Sequence, residues 1–110
     1  MKLSLSIPLA VAAALSIGSA HASESVAAAE LTKASGCFSC HAISEKIIGP
    51  SYQDIADKYA SDKDAAASLM QSIRNGSTGK WGKRIAMPAH ANLSNEELTV
   101  LVNWVLLQKR

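Results

Sequence analysis

The densest chemistry in the chain lies in five consecutive residues, Cys37-Phe38-Ser39-Cys40-His41. Two thiols at this spacing reach one edge of a porphyrin, where each can add to a vinyl group as a thioether, and the histidine that follows falls beneath the iron. Tether and ligand come in one motif. Two other chemistries use the same residue types. Thiol–disulfide exchange also employs a Cys-x-x-Cys pair at a helix start, but it belongs with a βαβ pattern that this sequence lacks. Zinc requires four ligands, and downstream of the adjacent His41 the only histidine is His90. One covalently attached haem c per chain is the expected cofactor.

A six-coordinate iron needs a further donor, and Met70, Met87 and His90 are the candidates. Met70 falls on the apolar face of a helical stretch, where methionine ordinarily fills core. Met87 stands in a loop directly before Pro88, whose fixed φ helps hold a thioether in place. The expected metal ligands are therefore His41 and Met87, with His90 as the alternative to the methionine. Methionine opposite histidine favours ferrous iron and raises the potential. Filling both axial positions leaves no open site for substrate, which points to electron transfer rather than catalysis.

The elements that position these residues must be drawn from a short chain. At 110 residues it accommodates one domain, and a net charge of +2 is far too small for a nucleic-acid binder. With 48% hydrophobic and 18% charged residues a folded globule is expected. Lys2 followed by the mostly apolar run Leu3 to Ile17, then Gly18-Ser19-Ala20-His21-Ala22, reads as a signal peptide cleaved after Ala22. The run is too short to span a bilayer, and no later one is long enough. The expected product is residues 23–110, exported to the periplasm without stable membrane insertion.

Helical spacing dominates the remainder. A first helix is expected over Ser25–Ser35 with Ala27, Leu31 and Ala34 inward, stopped by Gly36. Ser51 caps a second helix with Tyr52, Ile55, Ala56 and Tyr59 inward, and Asp54 favours its positive end. A third runs over Asp64–Arg74 with Ala66, Leu69, Met70 and Ile73 on one face, ending at Asn75-Gly76. The fourth opens on the capping box Ser94-Asn95-Glu96-Glu97 and runs to Gln108. Leu98, Leu101, Val102 and Val105 make one stripe of it, and Val100, Trp104 and Leu107 a second. Cys37–Pro50 and Gly76–Leu93 read as irregular. That is too much loop for four short helices unless a cofactor supplies the missing core.

The chain resembles the class I cytochromes c of the bacterial cytochrome c551/c552 group over nearly all of residues 23–110. The resemblance is carried by Cys37-Phe38-Ser39-Cys40-His41; Ile48-Gly49-Pro50 before Tyr52-Gln53-Asp54-Ile55-Ala56; Arg74-Asn75-Gly76-Ser77 before Trp81-Gly82; and Met87-Pro88 before Ser94 and Trp104-Val105. It implies an all-α fold of about four helices around one haem, with the first and last helices crossing. It also implies that the Pro50 carbonyl accepts the Nδ1 hydrogen of His41 and that the Trp81 indole N–H reaches a haem propionate. The implied function is a monomeric periplasmic electron carrier between a respiratory donor and a terminal reductase or oxidase. The alternative is a haem relay subunit of a larger dehydrogenase.

Three departures stand out. Ser72 aligns where the group carries a propionate-pairing arginine, with Arg74 as a candidate substitute. Gly82-Lys83-Arg84-Ile85-Ala86 replaces a proline-rich stretch, and Met87-Pro88-Ala89-His90 replaces Met-Pro-Pro-Asn. Lys80, Lys83 and Arg84 are expected to form a basic rim for an acidic redox partner.

Overall fold

A computed structural model describes residues 2–13 and 19–110. Residues 2–13 form neither helix nor strand, and their apolar side chains, Leu3 to Val11, are exposed. Met1 and residues 14–18, which complete the expected signal segment, lie outside the described residues.

Helix α1 spans Ser19–Ala34, beginning before the expected Ser25 because nothing in this alanine-rich run breaks a helix. Its buried residues are Ala28 and Thr32, whereas Ala27 and Ala34, expected inward, are exposed. Neighbouring faces of an alanine-rich helix differ little in hydrophobicity, so packing rather than periodicity selects the register. Gly36 then takes φ 79 and leads into a 3-10 turn at Cys37–Ser39. Helix α2 spans Tyr52–Tyr59, and the Ser51 hydroxyl accepts the Asp54 N–H at 3.0 Å. Helix α3 covers Ala65–Asn75, burying Ala65 in place of the expected Ala66.

The stretch after α3 is not irregular. Strands β1, Ser77–Gly79, and β2, Gly82–Met87, form an antiparallel hairpin with Ser77 opposite Met87 and Thr78 opposite Ala86. Gly79 and Gly82, at φ 81 and 140, make the turn that residues with a Cβ rarely adopt. On β2, Ile85 and Met87 are half-buried while Arg84 and Ala86 are exposed, the alternation of a strand with one covered face.

Helix α4, Asn95–Leu106, begins with the expected capping box: the Glu97 N–H donates to the Ser94 hydroxyl at 3.1 Å and the Ser94 N–H to the Glu97 carboxylate at 3.0 Å. Helices α1, α2 and α3 all pack against α4. Leu98, Leu101, Val102, Trp104 and Val105 are buried there, but Val100 and Leu107 are exposed, so only Trp104 of the second stripe is covered. The fold is all-α apart from the hairpin.

Arg110 closes the outer face of α2. Its guanidinium lies 2.9 Å from Asp54 and 2.7 Å from Asp57. The Arg110 hydrogen bond, helped by that from Ser51, holds the Asp54 carboxyl below its ordinary pKa. A carboxylate depressed in the folded state contributes stability above its unfolded pKa and loses it as pH falls through the folded one. Arg110→Gln is therefore expected to lower the thermal midpoint slightly at neutral pH, as for other exposed pairs. Thermal scans of both proteins down to about pH 3 should show the difference closing with acidification.

Candidate functional site

His41 is buried, and its Nδ1 donates to the Pro50 carbonyl at 2.6 Å. A carbonyl only accepts, so the proton resides on Nδ1 and the Nε2 lone pair is free for a metal. The loop that returns to Pro50 is held by its own backbone. The Gly49 N–H donates to Cys40 O at 2.8 Å, the Tyr52 N–H to Ala42 O at 2.9 Å and the Gln53 N–H to Ile43 O at 3.0 Å. Gly49 lies flat against the imidazole, where a Cβ would come within 2.6 Å of Cε1. Tyr52 tilts at 31° to the imidazole, with ring centroids 5.4 Å apart.

The motif is braced against the core by an aromatic cluster that its spacing does not disclose. Phe38 meets Tyr52 and Trp104 edge-on at 5.4 and 6.1 Å, and Tyr52 meets Trp104 at 5.0 Å. Such contacts add about 0.5–1.5 kcal/mol each beyond their buried area.

Met87, expected in a loop, is instead the last residue of β2, and it is seated on the end of α3. Gly76, at φ 81, passes so close beneath it that a Cβ would lie 2.8 Å from Met87 O. The His90 N–H donates to Ile73 O at 2.8 Å, and its Nδ1 donates to Pro88 O at 3.2 Å.

Residues of both segments line one largely apolar cavity, open at its mouth. Cys37, Cys40, His41, Pro50, Trp81 and Met87 all line it, along with Leu69, Ile73, Ile85, Leu101, Val102 and Val105. Met70 and His90 do not. Arg74 is also absent from the lining and bonds the Asn95 side chain instead, which removes it as the substitute for the missing arginine. Ser72 does line the cavity, and Lys80 folds back to donate to its hydroxyl at 2.8 Å. Lys80, exposed like Lys83 and Arg84 of the expected rim, is thereby tied to α3.

Partial burial pushes the Cys37 thiol above its ordinary pKa. Such a thiol is poorly suited to exchange, which depends on thiolate. Among the described residues no cluster of three or more His, Cys, Asp or Glu could hold zinc.

Comparison with known proteins decides between these chemistries. The cytochrome c family profile matches residues 25–109. Cytochrome c-551 of Pseudomonas aeruginosa is 49% identical over 79 residues, 72% of this chain and 74% of that protein. Cytochrome c-552 of Nitrosomonas europaea is 42% identical over 81 residues, 74% of this chain and 78% of that one. The crystal structure of wild-type Nitrosomonas europaea cytochrome c552 superposes with a TM-score of 0.70 at 42% identity, covering 74% of this chain and 99% of that chain. The chain is a class I c-type cytochrome of the c551/c552 group.

This cytochrome thus carries haem c, attached through Cys37 and Cys40, and belongs to the machinery of electron transport. Its residues fit the group. Both thiols stand at the wall of an apolar cavity, His41 has a free ring nitrogen, and the shielded Tyr52 hydroxyl finds no partner in the protein.

Gly49→Ala would drive a methyl group into the imidazole. Overpacking of this kind costs about 1–3 kcal/mol. The variant holoprotein is expected to unfold at lower denaturant concentration than wild type and to show an altered low-spin ferric spectrum, both measurable in one titration.

Proposed function

We propose that this cytochrome is an exported one-electron carrier, working in the periplasm as a monomer between a respiratory donor and a terminal reductase or oxidase. Its mature form begins at Ser23, and it performs no catalysis of its own. The observation that carries this reading is that His41 and Met87, from distant parts of the chain, both line one apolar cavity. In the proposal they are the two axial ligands, and the Trp81 indole N–H meets a propionate. Haem c supplies the Fe(III)/Fe(II) couple.

The surrounding residues hold that arrangement still. The Pro50 carbonyl orients the imidazole and makes it a stronger donor. Gly76 and the His90–Ile73 bond restrain the methionine loop. Apolar walls from α3 and α4 exclude water, so little solvent need reorganise when the charge changes. No helix among the described residues is long and apolar enough to cross a membrane, which suits a diffusing carrier.

Met87→His is expected to remain low-spin but to lose a substantial part of the roughly 0.8 V over which axial ligands set haem potentials. Met70→Leu should leave spectrum and potential nearly unchanged. Potentiometry with visible spectroscopy checks both; the reverse pattern would assign the ligand to Met70.

Docking to redox partners is assigned to the exposed Lys83 and Arg84 on β2. Converting both to glutamine should slow oxidation by ferricyanide about fivefold at low salt and speed reaction with cationic hexaammineruthenium. Stopped-flow rates across a salt series read this effect, and unchanged rates with both reagents would remove the basic rim from the proposal.

A further inference from the structure

Lys80 occupies the turn between β1 and β2, where a lysine ordinarily extends into water. Here its ammonium turns back to Ser72 on α3, eight residues earlier, at 2.8 Å. The Ser72 hydroxyl spends its own hydrogen on Ser68 O at 3.2 Å, so a lone pair is left facing Lys80. Of the described residues that line the cavity, Lys80 is the one lysine or arginine. No aspartate or glutamate lines it.

Haem c brings two propionates to this cavity. A carboxylate set against such walls must find donors or a cation, because its desolvation is otherwise uncompensated. An ammonium has three donors, and Ser72 engages one of them. Trp81, the next residue, also lines the cavity and carries an indole N–H. Lys58 of α2 sits 4.3 Å from the centroid of the Trp81 ring and donates to Lys80 O at 3.4 Å, but it does not line the cavity. Tyr59 and Ser77 supply the remaining polar groups nearby.

We propose that Lys80 binds a haem propionate, steadied by the Ser72 hydroxyl, so that the hairpin turn supplies the cation that α3 lacks at Ser72. The pair holds the carboxylate ionised and offsets its negative charge near the iron. Lys80 is therefore a positioning residue for the cofactor, and docking is left to Lys83 and Arg84. The inference rests on haem attachment and not on which residue is the second axial ligand.

The test uses ferric holoprotein with Lys80→Met, Lys80→Arg, Lys58→Met and Lys83→Met. Haem methyl proton shifts followed against pH report the propionate pKa directly. Lys80→Met should raise that pKa by about one unit, since an opposite charge in contact depresses a carboxylate by this order or more. It should also shift the reduction equilibrium about threefold towards ferric iron at neutral pH. The potential of Lys80→Met should then rise on acidification at a higher pH than that of wild type, because protonation removes the uncompensated charge. Lys80→Arg should restore both values, and Lys58→Met and Lys83→Met should leave the propionate pKa at the wild-type value. An unchanged propionate pKa in Lys80→Met, or the same shift in Lys58→Met, overturns the proposal. Because the readout needs only attached haem, failure of the Met87 assignment would show separately, in the spectrum of the Met87 variant.

Discussion

The bond from His41 Nδ1 to the Pro50 carbonyl is the constraint around which this protein is organised. It is short, at 2.6 Å, buried, and joins residues nine apart. Such a bond requires the chain to leave the haem motif, turn, and come back beneath the imidazole. That path fixes Gly49 against the ring face and delivers Ser51 to the start of α2, where its hydroxyl caps the helix. Tyr52 follows at once and brings its ring centroid to 5.4 Å from that of the imidazole. A proline at position 50 has no N–H to satisfy, so its carbonyl is the group available for the histidine. One side-chain tautomer thus depends on, and in turn orders, a loop that has almost no regular structure.

The packing explains why a chain of this size tolerates so much loop. Helix α4 is the common partner of the other three helices, and its buried side chains divide between two tasks. Trp104 and Val105 join the cluster with Ala28, Tyr52 and Ile55, while Leu101, Val102 and Val105 also face the cavity. The protein core and the cofactor wall are therefore one continuous surface. A domain this small seldom buries enough apolar area by itself. Haem c completes the core, and its covalent tether makes that completion permanent.

How much of this is legible in the sequence depends on the range of the interaction. The capping box at Ser94 and Glu97 and the cap at Ser51 are local, and they stand where the residue types place them. The inward stripe of α4 is equally clear because Leu98, Leu101, Val102 and Val105 contrast with their polar neighbours. Helix α1 offers no such contrast, which is why its face is misread by one position. The hairpin is hidden for another reason: glycines at 79 and 82 suggest loop, and only Ile85 and Met87 betray a period of two. Contacts such as Phe38 with Trp104, Lys80 with Ser72 and Arg74 with Asn95 join distant segments, and nothing in residue type alone pairs them. The motif residues were readable because covalent chemistry demands a spacing that packing does not.

The two walls of the cavity hang from the same helix. On one side, α2 carries Pro50 at its approach and packs on α4; on the other, α3 ends at Gly76 beneath Met87 and also packs on α4. Any motion that opened the cavity would have to shift α2 or α3 along that shared partner, at the expense of buried contacts on Leu98, Leu101 and Val102. The shared partner α4 thus ties together the helices that flank Pro50 and Met87. For a carrier whose charge changes by one electron, such a shared partner would limit movement between the two redox states. Specificity then falls to the groups outside the walls. The hairpin carries these both at its turn, where the exposed Lys80 bonds Ser72, and on β2, where Lys83 and Arg84 are exposed. Under the two proposals, one short element would set the charge the iron feels and the charge a partner meets, by different residues, so that either could change without the other.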